Sequence, residues 1–418
     1  MASPPAPSSD RSGVVFILGA TAVAGVAGYI VQGVAPLLLH GAENYLRFQT
    51  FWSTLYLAVA ALSGIQQEVT RATHRRAPNS PRAPRTFAQP FAAAVSAATL
   101  LIVLSTAALW APALFPVSTV PLVLALAAAT TGYAGAAVLS GLLYGLRLWR
   151  AVALLTSADA ILRLVLIIVV GAIAPTLSAL GWAVAVPFTL ALAVVWMSHR
   201  QRVVDNYEFD VPLRRLAQNS GKTLLGAVSI GVLTSGLPML IDVTSRSEDA
   251  ATVGALTFVI TLTRAPVVIV VLALQSYLTV RFRDRAARAS RELLSLLGGL
   301  AAATVAIALA AFVLEPPVLE AIWGPEYRVD GATCALVVLS AGMTGALGIT
   351  GSAVLARADH RSYMWGWVGA AVLLVVLMLT PMDVTPRVLM ATAVAPVLGL
   401  LIHLHSVYVG GFREAWSR

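Results

Sequence analysis

Twelve long apolar stretches divide the chain, and the basic residues are sorted between the gaps that separate them. If the N-terminus is cytoplasmic, 22 of the 28 Lys and Arg fall in cytoplasmic gaps and four fall in outer gaps. The other two, Arg163 and Arg264, lie near the middle of apolar segments. Because Lys and Arg concentrate in cytoplasmic loops, the pattern predicts a multi-pass protein of the bacterial plasma membrane with both termini in the cytoplasm.

The composition excludes a water-soluble fold. Hydrophobic residues make up 58% of the 418 residues, and charged residues make up only 11%. A bilayer core about 30 Å thick requires a helix of about 20 residues, and these segments lack the alternation of barrel strands. We therefore predict an all-α polytopic membrane protein with twelve transmembrane helices. The predicted spans are Gly13–Leu39, Phe48–Ile65, Phe87–Leu114, Val120–Leu143, Ala151–Ile173, Leu177–Met197, Thr223–Ile241, Ala251–Leu274, Leu293–Val313, Ala332–Leu355, Met364–Leu379 and Val388–Tyr408.

Several functional classes are disfavoured by the same residues. The net charge of +9 lies in short gaps beside anionic headgroups, which argues against a nucleic-acid partner. The six histidines and the single cysteine, Cys334, have no metal-ligand spacing, and no P-loop is present, so we expect no metal or other cofactor. The outer gap Glu315–Gly331 holds acids without a recognisable catalytic spacing. We therefore do not expect an enzyme.

The two halves of the chain resemble each other. Segments four and ten align at an offset of 210 residues, and segments two and eight align at an offset of 209. The matched pairs are Gly132 with Gly342, Gly135 with Gly345, Gly141 with Gly351, Arg147 with Arg357, Gln66 with Gln275, Thr70 with Thr279 and Arg76 with Arg285. Since each half has an even number of spans, we predict two parallel six-helix repeats facing a shared cavity. The predicted lobes are residues 1–198 and 223–418, joined by a cytoplasmic linker over residues 199–222.

The two arginines inside apolar segments carry most of the functional information. An ionised Arg at mid-span costs roughly 2.5–3.5 kcal/mol and needs a partner or a wet cavity. Asp159 precedes Arg163 by four residues, which predicts an intramembrane ion pair. This pair is either structural or a cavity wall that opens during transport. Arg264 has no acid within a helical turn, so it is either an interhelical structural residue or an anion site suited to a phosphate or pyrophosphate.

Other polar residues extend these candidates. A polar path towards Arg264 could include Gln32, Arg47, Gln49, Gln275 and Tyr277. A coupling proton could be carried by Asp159, Asp242 or Glu68, although salt bridging explains each of them equally well.

Three stretches resemble one family of membrane proteins. Pro316–Leu347 has an apolar run, a Gly, an acid and a Tyr before a helix, and Pro36–Arg71 has a similar element in the first half. Gly141–Leu164 is similar to the same family's helix end, basic loop and following helix. The family is that of the polysaccharide and oligosaccharide-lipid flippases, within the multidrug/oligosaccharidyl-lipid/polysaccharide (MOP) exporter superfamily. The likeness covers nearly the whole chain.

The resemblance implies a flippase for a polyprenyl-phosphate- or polyprenyl-pyrophosphate-linked sugar. It also implies a cavity lined by the first, second, seventh and eighth helices. The expected partners are the lipid-linked glycan, membrane lipids and glycosyltransferases of the same pathway, with H+, Na+ or the membrane potential as the driving force. The chain ends soon after segment twelve, unlike lipid II flippases with two more helices, so we expect a different glycan. Two alternatives stay open: cation-coupled drug or metabolite efflux, and a scaffold for a cell-wall synthesis complex.

Overall fold

The structure is a computed structural model that describes residues 8–76, 88–204, 206–284 and 288–416. Its described residues form thirteen α-helices, one short 3-10 helix (Pro325–Tyr327) and one two-stranded sheet. The helices are α1 (Ser8–Leu39), α2 (Ala42–Ala72), α3 (Ala88–Leu114), α4 (Thr119–Gly145), α5 (Trp149–Ile173), α6 (Leu177–Val203), α7 (Leu213–Thr234), α8 (Leu237–Thr244), α9 (Ala250–Asp284), α10 (Ala289–Trp323), α11 (Gly331–Ala356), α12 (His360–Met378) and α13 (Val384–Trp416). The strands are β1 (Thr73–Arg75) and β2 (Tyr207–Phe209).

The helices are those of a multi-pass membrane protein. Within the described ranges, ten helices are long and apolar enough to cross a membrane, and α7 with α8 would make an eleventh. The shorter apolar helix Ala250–Arg264 begins α9. The twelve predicted segments correspond to α1–α6, the α7 and α8 pair, and α9–α13. Large apolar side chains of α3 and α10 point away from the protein, as expected for faces that contact lipid.

One predicted span is not a continuous helix. The sequence predicts a single helix over Thr223–Ile241, but the chain breaks between Thr234 and Leu237, and the two helix axes differ by 65°. Pro238 lies in the first turn of α8 and has no backbone N–H to donate. The N–H groups of Ser235 and Gly236 both donate to the carbonyl oxygen of Gly231, which ends α7. Hydropathy could not reveal the break because both sides of it are apolar.

The chain divides into two compact units whose limits differ from the predicted lobes. The first unit comprises Met1–Leu39 and Thr54–Val228, and the second comprises His40–Ser53 and Ser229–Arg418. The start of α2 therefore belongs with the second half of the sequence, and most of α7 belongs with the first half.

The same helix pairs pack in both units. In the first unit, α4 packs against α3 and α6, and α5 packs against α6. In the second unit, the pairs α11 with α10, α11 with α13 and α12 with α13 repeat this arrangement. The turns that follow α4 and α11 each contain a residue with left-handed backbone, Arg147 (φ 58°) and Ala358 (φ 57°). The internal sequence repeat is therefore also a repeat of local structure.

The stretch predicted as a linker contains regular structure in its described residues. Helix α6 continues to Val203, and β2 then pairs antiparallel with β1 at the end of α2, with Thr73 opposite Phe209. The Asp210 carboxylate follows β2 and accepts a hydrogen bond from Arg71 Nη1 at 3.1 Å. These contacts tie the connection between α6 and α7 to the end of α2 within the first unit.

Candidate functional site

Arg264 lies buried on α9 with an incomplete set of hydrogen bonds. Only 4% of its surface is exposed. Its Nη2 donates to Thr344 Oγ1 on α11 at 2.9 Å, whereas its Nε is buried and has no hydrogen-bond partner among the described residues. No carboxylate among the described residues forms an ion pair with Arg264. A guanidinium in such a place retains donor capacity for an anion.

The other arginines outside the predicted cytoplasmic gaps are neutralised. Each of the five forms an ion pair with a nearby acid: Arg47 with Glu43, Arg163 with Asp159, Arg246 with Asp242, Arg328 with Glu320 and Arg387 with Glu248. Of these six arginines, Arg264 is the one that forms no ion pair with an acid among the described residues. Because a buried charge normally acquires a partner, Arg264 is the candidate among these six arginines for binding an anion.

Gln49 joins Arg264 in one polar group of the second unit. It is 1% exposed, and its Nε2 donates to Thr261 Oγ1 at 3.0 Å. Thr261 precedes Arg264 by three residues, so both side chains lie on one face of α9. The Oε1 of Gln49 is buried and lacks a hydrogen-bond partner within the described ranges. We call Gln49, Thr261, Arg264 and Thr344 the α9 polar cluster.

Small residues on α11 allow the neighbouring helices to approach. A Cβ on Gly342 would lie 2.7 Å from the Thr304 methyl carbon on α10, and one on Gly345 would lie 3.3 Å from a Val271 methyl carbon on α9. Such close packing is how membrane helices associate without a hydrophobic driving force. It also brings the Thr344 hydroxyl within reach of Arg264.

Two other predicted residues lie elsewhere in the second unit. Gln275 is eleven residues beyond Arg264, which corresponds to about 16 Å along a helix. Its Nε2 donates to the Tyr363 hydroxyl at 3.1 Å, and Tyr363 stacks on the buried ring of His403. Tyr277 is 59% exposed. Both residues are therefore separate from the α9 polar cluster.

The remaining two predicted path residues, Arg47 and Gln32, lie on α2 and α1. Arg47 is partly exposed near the start of α2 and pairs with Glu43. Gln32 is buried on α1, in the first unit. Within the second unit, Gln49 is bound to the α9 face that bears Arg264, through its hydrogen bond to Thr261.

The predicted pair of Asp159 and Arg163 is present in the first unit. Arg163 Nη2 lies 2.6 and 2.8 Å from the two carboxylate oxygens of Asp159. Arg163 also donates to the Tyr56 hydroxyl and to the Val184 carbonyl oxygen, and it lies 4.2 Å from the centre of the Phe188 ring. These contacts supply the guanidinium with partners from several helices, as expected for a structural pair.

Asp159 nevertheless borders a small cavity that both polar and apolar side chains line. The cavity has a volume of about 200 Å3. Its polar lining residues are Gln66, Tyr133, Ser140, Tyr144, Thr156 and Asp159. The cavity is large enough for water, so a proton could reach the carboxylate without unfolding the unit.

The other two proposed proton carriers are engaged in hydrogen bonds. Glu68 is buried and accepts from Arg71 at 2.7 and 2.9 Å and from Asn219 at 2.9 Å. Asp242 accepts from Thr50 Oγ1 at 2.7 Å and lies 3.5 Å from Arg246. Hydrogen bonding to neighbouring side chains therefore accounts for the position of both groups.

Sequence reasoning missed a buried acid, Glu315. The sequence places it in an outer gap, but α10 continues to Trp323 and includes it. Both of its carboxyl oxygens are buried without a hydrogen-bond partner among the described residues. Pro316 and Pro317 lie inside this helix, which extends ten residues beyond the predicted end of the span at Val313. A carboxyl without a cationic partner is the type of group that can carry a proton within a membrane.

The fold is that of a multi-pass helical membrane protein. Its candidate site is a buried arginine with no acidic partner among the described residues. No family model matches the chain. An uncharacterized protein of Mycobacterium tuberculosis is 29% identical over 405 residues, which is 94% of this chain and 91% of that protein. An uncharacterized protein of Mycobacterium bovis is 29% identical over 404 residues, with the same coverage.

Solved structures establish the fold more specifically. An outward-facing multidrug resistance MATE family transporter of the MOP superfamily has a TM-score of 0.62 at 14% identity, over 95% of this chain and 96% of that one. A MOP superfamily transporter from Pyrococcus furiosus has a TM-score of 0.62 at 13% identity, over 94% and 95%. The lipid II flippase MurJ has a TM-score of 0.60 at 12% identity, over 94% and 87%. The chain therefore has the twelve-helix MOP fold.

Proposed function

We propose that the chain is a flippase for a sugar or oligosaccharide linked to a polyprenyl phosphate or pyrophosphate. It would move this lipid across the bacterial plasma membrane for the synthesis of a cell-envelope polysaccharide. The observation that carries the proposal is Arg264, which is buried, has an unsatisfied Nε and lacks a carboxylate among the described residues. A phosphate would supply the missing negative charge.

The α9 polar cluster matches the two polar parts of such a substrate. The guanidinium of Arg264 would hold the phosphate, because charge-assisted hydrogen bonds to phosphate are strong in a site of low dielectric. The Oε1 of Gln49 would accept a hydrogen bond from a sugar hydroxyl. The polyprenyl chain would stay in the lipid, so the protein need only shelter the polar headgroup.

Transport would follow from alternating access of this site to the two sides of the membrane. The internal repeat supports this scheme because it is typical of transporters that move one half against the other. The sorting of Lys and Arg supports cytoplasmic termini, and therefore export of the lipid-linked sugar. Protons are one candidate driving force, with Glu315 and Asp159 as candidate carriers.

The central test is transport by an Arg264→Gln variant. The protein is reconstituted into vesicles, and translocation of a fluorescent polyprenyl-pyrophosphate-linked sugar is measured. We expect a loss of at least tenfold, since a charge-assisted hydrogen bond contributes about 1.5–3 kcal/mol. Arg328→Gln is the matched control, because Arg328 is exposed and already paired with Glu320. Normal transport by correctly folded Arg264→Gln protein would disprove the phosphate site.

Efflux of cationic drugs or metabolites is the second candidate function. The MATE transporter among the structural neighbours favours it, whereas a buried cation at the site opposes it, because like charges repel. The same vesicles can be tested for uptake of a cationic dye. Efflux would be favoured over the flippase proposal if the Arg264→Gln variant still takes up the dye and if added lipid-linked sugar does not inhibit this uptake.

A further inference from the structure

A second basic site lies at one end of the first unit. There a pocket of about 790 Å3 opens where α1, α5, α6 and the turn after α4 come together with β1. Four arginines and two histidines line it: His74, Arg75, Arg147, Arg150, His199 and Arg202. We call it the basic pocket. It differs from the α9 polar cluster, which belongs to the second unit.

The backbone of the first unit fixes several of these side chains. Arg75 lies on β1, and its Nη2 donates to the Leu146 carbonyl oxygen at 3.4 Å. Arg147 adopts left-handed backbone (φ 58°), which is uncommon for a residue with a side chain. Arg150 lies in the first turn of α5, with its guanidinium carbon 5.3 Å from the centre of the Phe16 ring. The arrangement brings residues distant in sequence to one place.

The pocket has a strong excess of positive charge. Among the described residues, no acidic side chain lines it. Asp210 lies near its rim, 3.6 Å from His74 Nε2, and also pairs with Arg71. The N-terminus of the 25-residue helix α5 lies at the pocket and adds the positive end of its dipole. Repulsion among these groups is relieved when an anion binds.

We propose that the basic pocket binds the phosphate group of an anionic membrane lipid. Arginines suit phosphate because they donate several hydrogen bonds in a planar arrangement. Phe16 and Trp149 also line the pocket, and aromatic side chains favour the boundary between headgroups and hydrocarbon. A soluble phosphate compound shares the same chemistry and is the alternative source. The proposal does not rest on the flippase function.

The test uses full-length protein in detergent at 0.15 M salt. Binding of phosphatidylglycerol, cardiolipin and phosphatidylcholine is measured by native mass spectrometry. The pocket variant carries Arg147→Gln, Arg150→Gln and Arg202→Gln together. The control variant carries Arg200→Gln, Arg214→Gln and Arg215→Gln, which remove the same charge from exposed positions of the first unit outside the pocket.

We expect the pocket variant to lose about 100-fold in affinity for the anionic lipids, because each basic residue beside an anionic headgroup contributes on the order of a fivefold change. The control variant should change by less than about fivefold, since its three arginines are exposed and do not line the pocket, and salt screens exposed charges that do not contact the ligand. Equal losses in both variants, or no loss in either, would overturn the proposal. So would equal binding of phosphatidylcholine by the native protein.

A second measurement identifies the source of the phosphate. Inorganic pyrophosphate is titrated against the native protein with bound cardiolipin. Displacement at low concentration would support a phosphate site open to soluble compounds, whereas retention of the lipid would support a headgroup site. If the triple variant does not fold, Arg202→Gln replaces it, because Arg202 is exposed and has no recorded partner among the described residues. A loss of about fivefold is then expected, and an unchanged affinity would overturn the proposal.

Discussion

Arg264 on α9 donates from Nη2 to Thr344 Oγ1 on α11 at 2.9 Å, and among the described residues this hydroxyl is the acceptor of the guanidinium. We expect Thr344→Val to destabilise the protein by about 1–3 kcal/mol, because it leaves a buried charged donor without a partner. Thermal unfolding in detergent measures the change. Thr344→Ser retains the hydroxyl and should stay near the native value. A Thr344→Val protein as stable as the native one would contradict this account of the site.

The pair of Asp159 and Arg163 allows a double-mutant cycle. We expect Asp159→Leu or Arg163→Met alone to cost about 3–5 kcal/mol, because each leaves a buried charged group uncompensated. The combined Asp159→Leu and Arg163→Met variant should cost less than either single change. Unfolding in detergent provides the comparison. Strictly additive effects would show that the two side chains act independently, contrary to their bidentate geometry.

Much of the fold could be predicted because lipid imposes simple rules on a sequence. Segment lengths, the sorting of basic residues and the offset of 210 residues gave the all-helical class, the twelve segments and the repeat. The pair of Asp159 and Arg163 was also accessible, because a spacing of four residues places two side chains on one helix face. These features depend on local sequence or on its periodicity.

The remaining features depend on contacts between distant residues or on backbone geometry. Gln49 meets Thr261 across 212 residues, and no pattern in one sequence identifies that pair. The break before Pro238 and the burial of Glu315 were hidden because hydropathy measures polarity and ignores the course of the backbone. Tyr207–Phe209 was assigned to a linker because a three-residue strand leaves no periodic signal.

Gly64 provides a test of how α2 and α7 pack in the first unit. A Cβ at this position would lie 2.6 Å from the backbone nitrogen of Leu224, which cannot move aside as a side chain can. We expect Gly64→Val to destabilise the protein by about 1–3 kcal/mol through overpacking. Gly226→Val on α7 is the control, because a Cβ there meets nothing within 4 Å. Similar unfolding temperatures for the two variants would refute the close approach.

Asp359 should make stability depend on pH at the start of α12. Its carboxylate accepts hydrogen bonds from Ser362 N at 3.0 Å and Ser406 Oγ at 2.6 Å, which lower the pKa of Asp359 below its ordinary value. The stabilisation is present above the unfolded pKa of about 3.9 and is lost as the pH falls through the lower folded pKa. The unfolding temperature of native protein should therefore fall more steeply below about pH 4 than that of Asp359→Asn. Parallel curves would argue against this role.

Glu315 allows proton coupling to be separated from substrate binding. Glutamine has nearly the shape of a protonated glutamate, so Glu315→Gln should leave folding unchanged. If the carboxyl carries the coupling proton, an imposed pH gradient should accelerate transport by native protein but not by the variant. We expect gradient-driven transport to fall about tenfold in Glu315→Gln. The control is Glu326→Gln, because Glu326 is an exposed acid in the short 3-10 helix that follows α10. A variant that still responds to the gradient would exclude Glu315 as the carrier and leave Asp159, which borders a small cavity, as the next group to test.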